Sequence, residues 1–296
     1  DVTAVYPSES YGLILFSHAS GWLPAGALQD PGHTMSGATG IPATLAVPGT
    51  RSICWDNGEE KPEGIRHAEM ELEEFAAAIP DGTLDFIIFE SCLMAGVEVA
   101  YALRDKTDYI MASSAEIVSP GFTPVYSSAL SFLFDTSLSL EESLAAFGTA
   151  YMCHVSKLRG DYRSATLSLV DTKELDLLAA RTQDLLSGLS HQGDIIPVLQ
   201  HFDRPGSYGD TLAVARYFDL GEWARRIGTQ KQYTLFEEQL KRTVRWKAST
   251  EYFLPAQNGF RIKNHSGLTI YVERPELSIL NAYYNTTAWY TAVHKK

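Results

Sequence analysis

The segment Leu84-Asp85-Phe86-Ile87-Ile88-Phe89-Glu90 is apolar at nearly every position. A strand with one wet face alternates polar and apolar residues, so a near-continuous run of this length demands cover on both faces. Residues 11–17, 109–113, 165–170 and 268–272 read the same way. Helical patterns lie between these runs. Leu72, Phe75, Ala76 and Ile79 follow i, i+3, i+4, i+7 spacing and are stopped by Pro80-Asp81-Gly82. A helix over 139–151 opens on a Ser139 cap with Glu141 and Glu142 in its first turn, and one over 172–186 opens on Thr172. Residues 218–227 and 234–244 are two further helical segments. Strands alternating with helices predict an α/β fold around a central, mostly parallel sheet.

Two of the strand runs end on residues with chemistry. The Leu84–Glu90 run delivers Cys92, ahead of a helical pattern from Leu93 to Arg104; the 11–17 run delivers His18. A thiol at a strand-to-helix junction lies near the positive end of a helix dipole, which favours the thiolate. A cysteine and a histidine at two buried strand ends suggest a nucleophile and its proton-transfer partner. A lone buried cysteine is more often a small packing residue, and Cys54 and Cys153 keep that reading. The remaining histidines lack a supporting context.

A net charge of −12 disfavours nucleic acid as a partner. No apolar stretch approaches the length of a membrane span. Three cysteines make neither a disulfide framework nor zinc spacing, and no metal site is expected. The chain opens at Asp1, almost directly before a core strand, which suggests a fragment or mature form. The irregular, Gly- and Pro-rich stretch over 23–50 follows His18 and reads as a flap or processing loop. The expected division is a core over 1–185 carrying the His and Cys, then 186–296 packed on the same core, with a single domain as the alternative.

His18-Ala19-Ser20-Gly21-Trp22 and Phe89-Glu90-Ser91-Cys92-Leu93-Met94, continued by Val97-Glu98-Val99-Ala100-Tyr101-Ala102-Leu103-Arg104, resemble the clostripain-like cysteine peptidases. Their usual forms are H-G-x-G-W and F-D-A-C-L-M-x-x-V-E-V-A-Y-E-L. The resemblance continues through Tyr109-Ile110-Met111-Ala112-Ser113 and is fainter around Cys54 and Gly267-Leu268-Thr269-Ile270-Tyr271. It implies a caspase-like αβα sandwich, here with a mixed C-terminal extension. It also implies a Cys/His dyad acting through a thioester acyl-enzyme, cleavage after Arg or Lys, activation by a cut between the His and the Cys, and a secreted or cell-envelope bacterial location. Protein or peptide substrates with basic residues are the implied partners.

On this reading Cys92 is the nucleophile and His18 its proton-transfer partner. The backbone N–H groups of Ala19 and Cys92 are the expected oxyanion donors. Where the family has Gly, this chain has Ala19, which would be strained at a positive φ. Where the family has Asp, it has Glu90. If the strand runs to its end, Glu90 shares the face of Cys92 and its carboxylate would pair with a basic substrate side chain; a purely structural carboxylate is the alternative. Glu116 would supply a second acidic wall. Trp22 either packs against the active-site loop or lines the substrate cleft. Lys61 precedes Pro62, so self-processing is expected after Arg51 or Arg66. The acidic run Asp56-Asn57-Gly58-Glu59-Glu60 lacks the alternating oxygen ligands of an EF-hand; calcium there is a minor alternative to a solvated turn, and no cofactor is expected. Two competing functions remain open: the same dyad with a non-basic specificity, and a catalytically silent peptide-binding relative.

Overall fold

The computed structural model describes residues 2–24, 27, 53–56, 60–61, 64–65, 68–187, 193–207 and 212–295. Five strands form the central sheet: β1 (Gly12–Phe16), β2 (Leu84–Glu90), β3 (Thr107–Ala112), β4 (Thr166–Asp171) and β5 (Val244–Ser249), in the spatial order β1-β2-β3-β4-β5. β1, β2 and β3 are parallel neighbours, while β4 runs antiparallel to both β3 and β5. Four of the strands therefore point one way, and the sheet is mostly parallel.

Both faces are covered, as the continuous apolar strands require. Ile87 and Phe89 of β2 join a large core cluster with residues of α1 (Leu72–Ala78), α2 (Val97–Ala102), α5 (Leu175–Leu186), α6 (Leu220–Ile227) and α7 (Gln230–Thr243). Phe86 and Ile88 face a second cluster with α3 (Thr123–Ala129) and α4 (Leu140–Ser156). The period-2 alternation of a strand thus sorts one sequence into two cores. The result is the αβα sandwich of the caspase-like fold. The large cluster extends through α8 (Ser278–Tyr284) to Val293, and β5 joins the same sheet, so the segments after residue 186 build on the common core.

Some sequence expectations shift. Ser139 and Glu142 do form a reciprocal capping box at the start of α4. The expected cap at Thr172 is instead Asp171, whose side chain accepts from Lys173 N–H, while the Thr172 hydroxyl bonds the Thr107 and Asp108 carbonyls. The 268–272 run does not join the central sheet: Thr269–Ile270 pairs antiparallel with Phe218–Asp219 in a separate two-stranded sheet and is buried by packing rather than by the main ladder. β5 takes the place in the sheet that this run was expected to fill.

Candidate active site

His18 lies two residues beyond the end of β1, and Cys92 two beyond the end of β2. The strands are in parallel register, with Phe16 opposite Glu90, and Ser17 N–H donates to the Glu90 carbonyl at 3.4 Å. The chain segments carrying the two residues leave the sheet side by side at its carboxyl edge, one strand spacing of about 4.8 Å apart. Open α/β sheets place ligands at that edge. His18 is exposed and Cys92 half-buried.

The two turns are fitted to each other. Gly21 has φ +65°, and a Cβ there would stand 2.6 Å from the Leu93 carbonyl oxygen. Leu93 is itself left-handed at φ 62°. Its N–H donates to the Ala115 carbonyl and Ala95 N–H to the Ser113 carbonyl, both at 3.0 Å, lacing the cysteine turn to the loop after β3. Tyr217 donates its hydroxyl to the Ser20 carbonyl at 2.5 Å, and Thr269 N–H donates to the Ala95 carbonyl at 2.8 Å. Ala19 pairs with Ile53 in an antiparallel bridge; the left-handed residue of the histidine turn is Gly21, so alanine at 19 meets no positive φ.

The thiol is not where the dipole argument placed it. α2 begins only at Val97, with Gly96 as its cap, and the dipole's influence fades within the first turn. Burial instead pushes the Cys92 thiol up to about 11. Ile117 N–H, donating to Sγ at 3.4 Å, eases that effect, as does Arg204; Glu116 adds to it. Cys92 keeps some exposed surface as a residue, while packing around its sulfur raises the thiol. The resting thiol is therefore protonated at neutral pH, and attack requires a base.

Glu90 is 3 % exposed and both its oxygens are engaged. Phe122 N–H donates to Oε1 at 2.6 Å and the Tyr126 hydroxyl donates to Oε2. A Cβ on Gly121, at φ +63°, would lie 2.1 Å from Oε1, so only glycine lets the carboxylate this close. The strand stops at Glu90, and its alternation is not carried to Cys92. Glu90 turns with Ile88 toward α3, whereas Cys92 packs against the other core cluster. The strand alternation that would give the two a common face stops at Glu90, yet both Glu90 and Cys92 act electrostatically on Tyr151.

Glu116 lies beside the nucleophile, one residue before the Ile117 amide that bonds Sγ. Its two oxygens accept from Arg204 Nε and Nη2, each at 2.8 Å, and Arg204 Nη1 donates to the Gln257 carbonyl at 2.7 Å. Trp22 takes the packing alternative and does not line a cleft. It is 1 % exposed, with ring centroids 5.0 Å from Tyr271 and 5.3 Å from Tyr284. Its apolar surface is consumed by the aromatic core. Arg51 and Arg66 lie outside the described residues, as does most of the acidic run from Asp56 to Glu60. Among the described residues no cluster of three or more His, Cys, Asp or Glu could hold a metal ion, and no helix is long and apolar enough to cross a membrane. Sequence reasoning missed Arg204, Tyr217 and the Ile117 amide. No local signal marks them, because each reaches the site only through long-range folding.

A cysteine and a histidine at adjacent strand ends of a sheet sandwiched by helices give the caspase-like layout of a cysteine endopeptidase. The clostripain family model matches residues 2–273, and the chain belongs to that family. No protein of curated function matches the chain. Among solved structures, it is similar to an inactive zymogen C11 protease from Parabacteroides distasonis, at 27 % identity and TM-score 0.72, covering 99 % of this chain and 72 % of that one. A secreted C11 cysteine protease from Bacteroides thetaiotaomicron, iotapain, shares the fold at 24 % identity and TM-score 0.73, covering 99 % and 74 %. A clostripain from the same organism, in complex with the peptide inhibitor BTN-VLTK-AOMK, matches at 25 % identity and TM-score 0.63, covering 81 % and 99 %.

Proposed function

We propose that the chain hydrolyses peptide bonds with Cys92 as nucleophile and His18 as its proton-transfer partner, and that it prefers a basic residue before the cut. The observation that carries the dyad is the register of β1 and β2, which brings the two strand ends together. His18 accepts the thiol proton as the sulfur attacks the carbonyl carbon, then passes it to the amine as the C–N bond breaks. The same imidazole next deprotonates the water that releases the thioester. The amides of Ala19 and Cys92 donate to the developing oxyanion; those of Leu93 and Ala95 are already spent on the Ala115 and Ser113 carbonyls.

The basic preference rests on charge. The bonds to Glu90 come from a neutral amide and a neutral hydroxyl, and no Lys or Arg among the described residues pairs with it. A cationic side chain entering beside Cys92 would offset that carboxylate. The inhibitor held by the Bacteroides thetaiotaomicron clostripain carries a VLTK peptide, which ends on lysine. A non-basic specificity has its own support, since both oxygens of Glu90 accept internal bonds and Glu116 is held by Arg204.

Fluorogenic peptides ending in Arg, Lys, Asp or Leu, tested with the wild type and Cys92→Ala, separate these readings. Turnover of the Arg and Lys peptides alone, lost in the variant, supports the basic preference. Turnover of Leu or Asp peptides in preference supports the second reading, and no turnover of any peptide rejects the dyad. Self-processing after Arg51 or Arg66 belongs to the same proposal, as does a secreted or envelope location like that of iotapain. N-terminal sequencing of incubated protein tests the cut: a fully active uncut chain, or a cut elsewhere, rejects it.

A further inference from the structure

Among the described residues, Arg204 is a guanidinium placed beside the cysteine turn that the dyad does not use. It is 8 % exposed, and its side chain forms a bidentate pair with Glu116 at 2.8 Å on both arms. The third bond, to the Gln257 carbonyl, completes the fork. The backbone around it is equally fixed. Phe202 N–H donates to the Tyr217 carbonyl, Asp203 Oδ2 accepts from Arg216 N–H at 2.8 Å, and Asn258 donates to the Pro205 carbonyl. This is the geometry with which a carboxylate receives the guanidinium of an arginine substrate. Here the guanidinium comes from the chain itself. The bond following it leads to Pro205, a position most peptidases cut poorly, so Arg204 is a resident and not a processing site.

We propose that Arg204 fills, from within the chain, the place at Glu116 that a basic substrate side chain would otherwise take, and so limits how strongly the enzyme selects Arg or Lys. The inference rests on the basic-preference reading and deepens it. Glu116 and Arg204 both act on the Cys92 thiol, in opposite directions, which places the pair within electrostatic reach of the reacting sulfur. Neutralised by Arg204, Glu116 attracts a second cation weakly. Without Arg204 it is a carboxylate beside the nucleophile that has lost its bidentate partner.

The test is Arg204→Ala with a free guanidinium compound, agmatine, as probe. Agmatine should raise the melting temperature of the variant by a few degrees and slow iodoacetamide labelling of its Cys92, with little effect on wild type. The kcat/KM ratio for Arg over Leu peptides should rise on the order of tenfold in the variant. Adding Glu116→Gln should remove both gains. Equal agmatine effects on wild type and variant, or an unchanged Arg/Leu ratio in folded Arg204→Ala, would overturn the proposal. Should Arg204→Ala not fold, Arg204→Lys keeps the charge but loses the fork, and its ratio should move the same way by less; an unchanged ratio there also overturns it. A wild type that prefers Leu peptides refutes the basic preference yet leaves the ratio test intact. If no peptide is cut, the agmatine measurements decide.

Discussion

Phe16 stands opposite Glu90 in the parallel ladder, so His18 and Cys92 each lie two residues past one shared rung. Neither residue needs the other for its position: the sheet register sets both. The cysteine turn then buries its sulfur, and that burial governs how the thiol behaves before substrate arrives.

The first expectation concerns that thiol. With its pKa pushed up to about 11, the resting protein holds little thiolate at pH 7. Alkylation of Cys92 by iodoacetamide should be slow at neutral pH and climb steadily to pH 10. A labelling rate that levels off below pH 8 would contradict the buried, protonated thiol.

Gly21 is the contact between the two turns. Gly21→Ala places a methyl group 2.6 Å from the Leu93 carbonyl and forces a side chain into the left-handed region. The expected cost is about 1–3 kcal/mol of stability, together with a drop in kcat/KM. Ala19→Gly, at a position without positive φ, should change stability by less than about 1 kcal/mol. Urea unfolding of both variants checks the contrast, and equal losses would count against it.

Glu98 carries a pH signature. It is 1 % exposed, its Oε1 accepts Tyr271 N–H at 2.8 Å, and burial pushes its carboxyl up from 4.5 to about 7. The folded state holds the proton more tightly than the unfolded chain. Its contribution to stability is therefore complete below pH 4.5 and lost as pH rises through about 7. The loss by pH 8 is on the order of 3 kcal/mol. Glu98→Gln keeps an acceptor for Tyr271 N–H and should be more stable than wild type at pH 8 but nearly equal at pH 4. The same difference in melting temperature at both pH values would reject this assignment.

Glu90→Gln separates charge from shape. The amide oxygen can still accept Phe122 N–H, and the amide NH2 can donate to the Tyr126 oxygen, so the contact with α3 survives while the charge goes. If that charge draws a basic side chain, the kcat/KM ratio for Arg over Leu peptides should fall about tenfold or more, with melting temperature little changed. An unaltered ratio would show that Glu90 serves α3 alone.

The sequence pattern disclosed the sheet wherever a strand is apolar on both faces, and β1, β2, β3 and β4 were legible for that reason. β5 escaped because only one of its faces is buried and it follows α7 with no Gly or Pro between them. The motif residues His18 and Cys92 were legible because strand ends are local. The state of the thiol was not, since it depends on where α2 begins and on what packs over the sulfur. Glu90 illustrates a different limit. Its face could be read only by assuming that β2 continued past it, and the strand ends there. Arg204 and Glu116 meet across 88 residues of sequence, a distance no periodicity spans.

Tyr217 holds the histidine turn through the Ser20 carbonyl, and Thr269 holds the cysteine turn through the Ala95 carbonyl. Both clamps are far downstream of the residues they secure. During synthesis, His18 and Cys92 leave the ribosome long before either clamp exists, and the cysteine turn remains half-fastened until Thr269 has been added. The order of translation thus delays the last anchor of the cysteine turn until the chain has been made as far as Thr269.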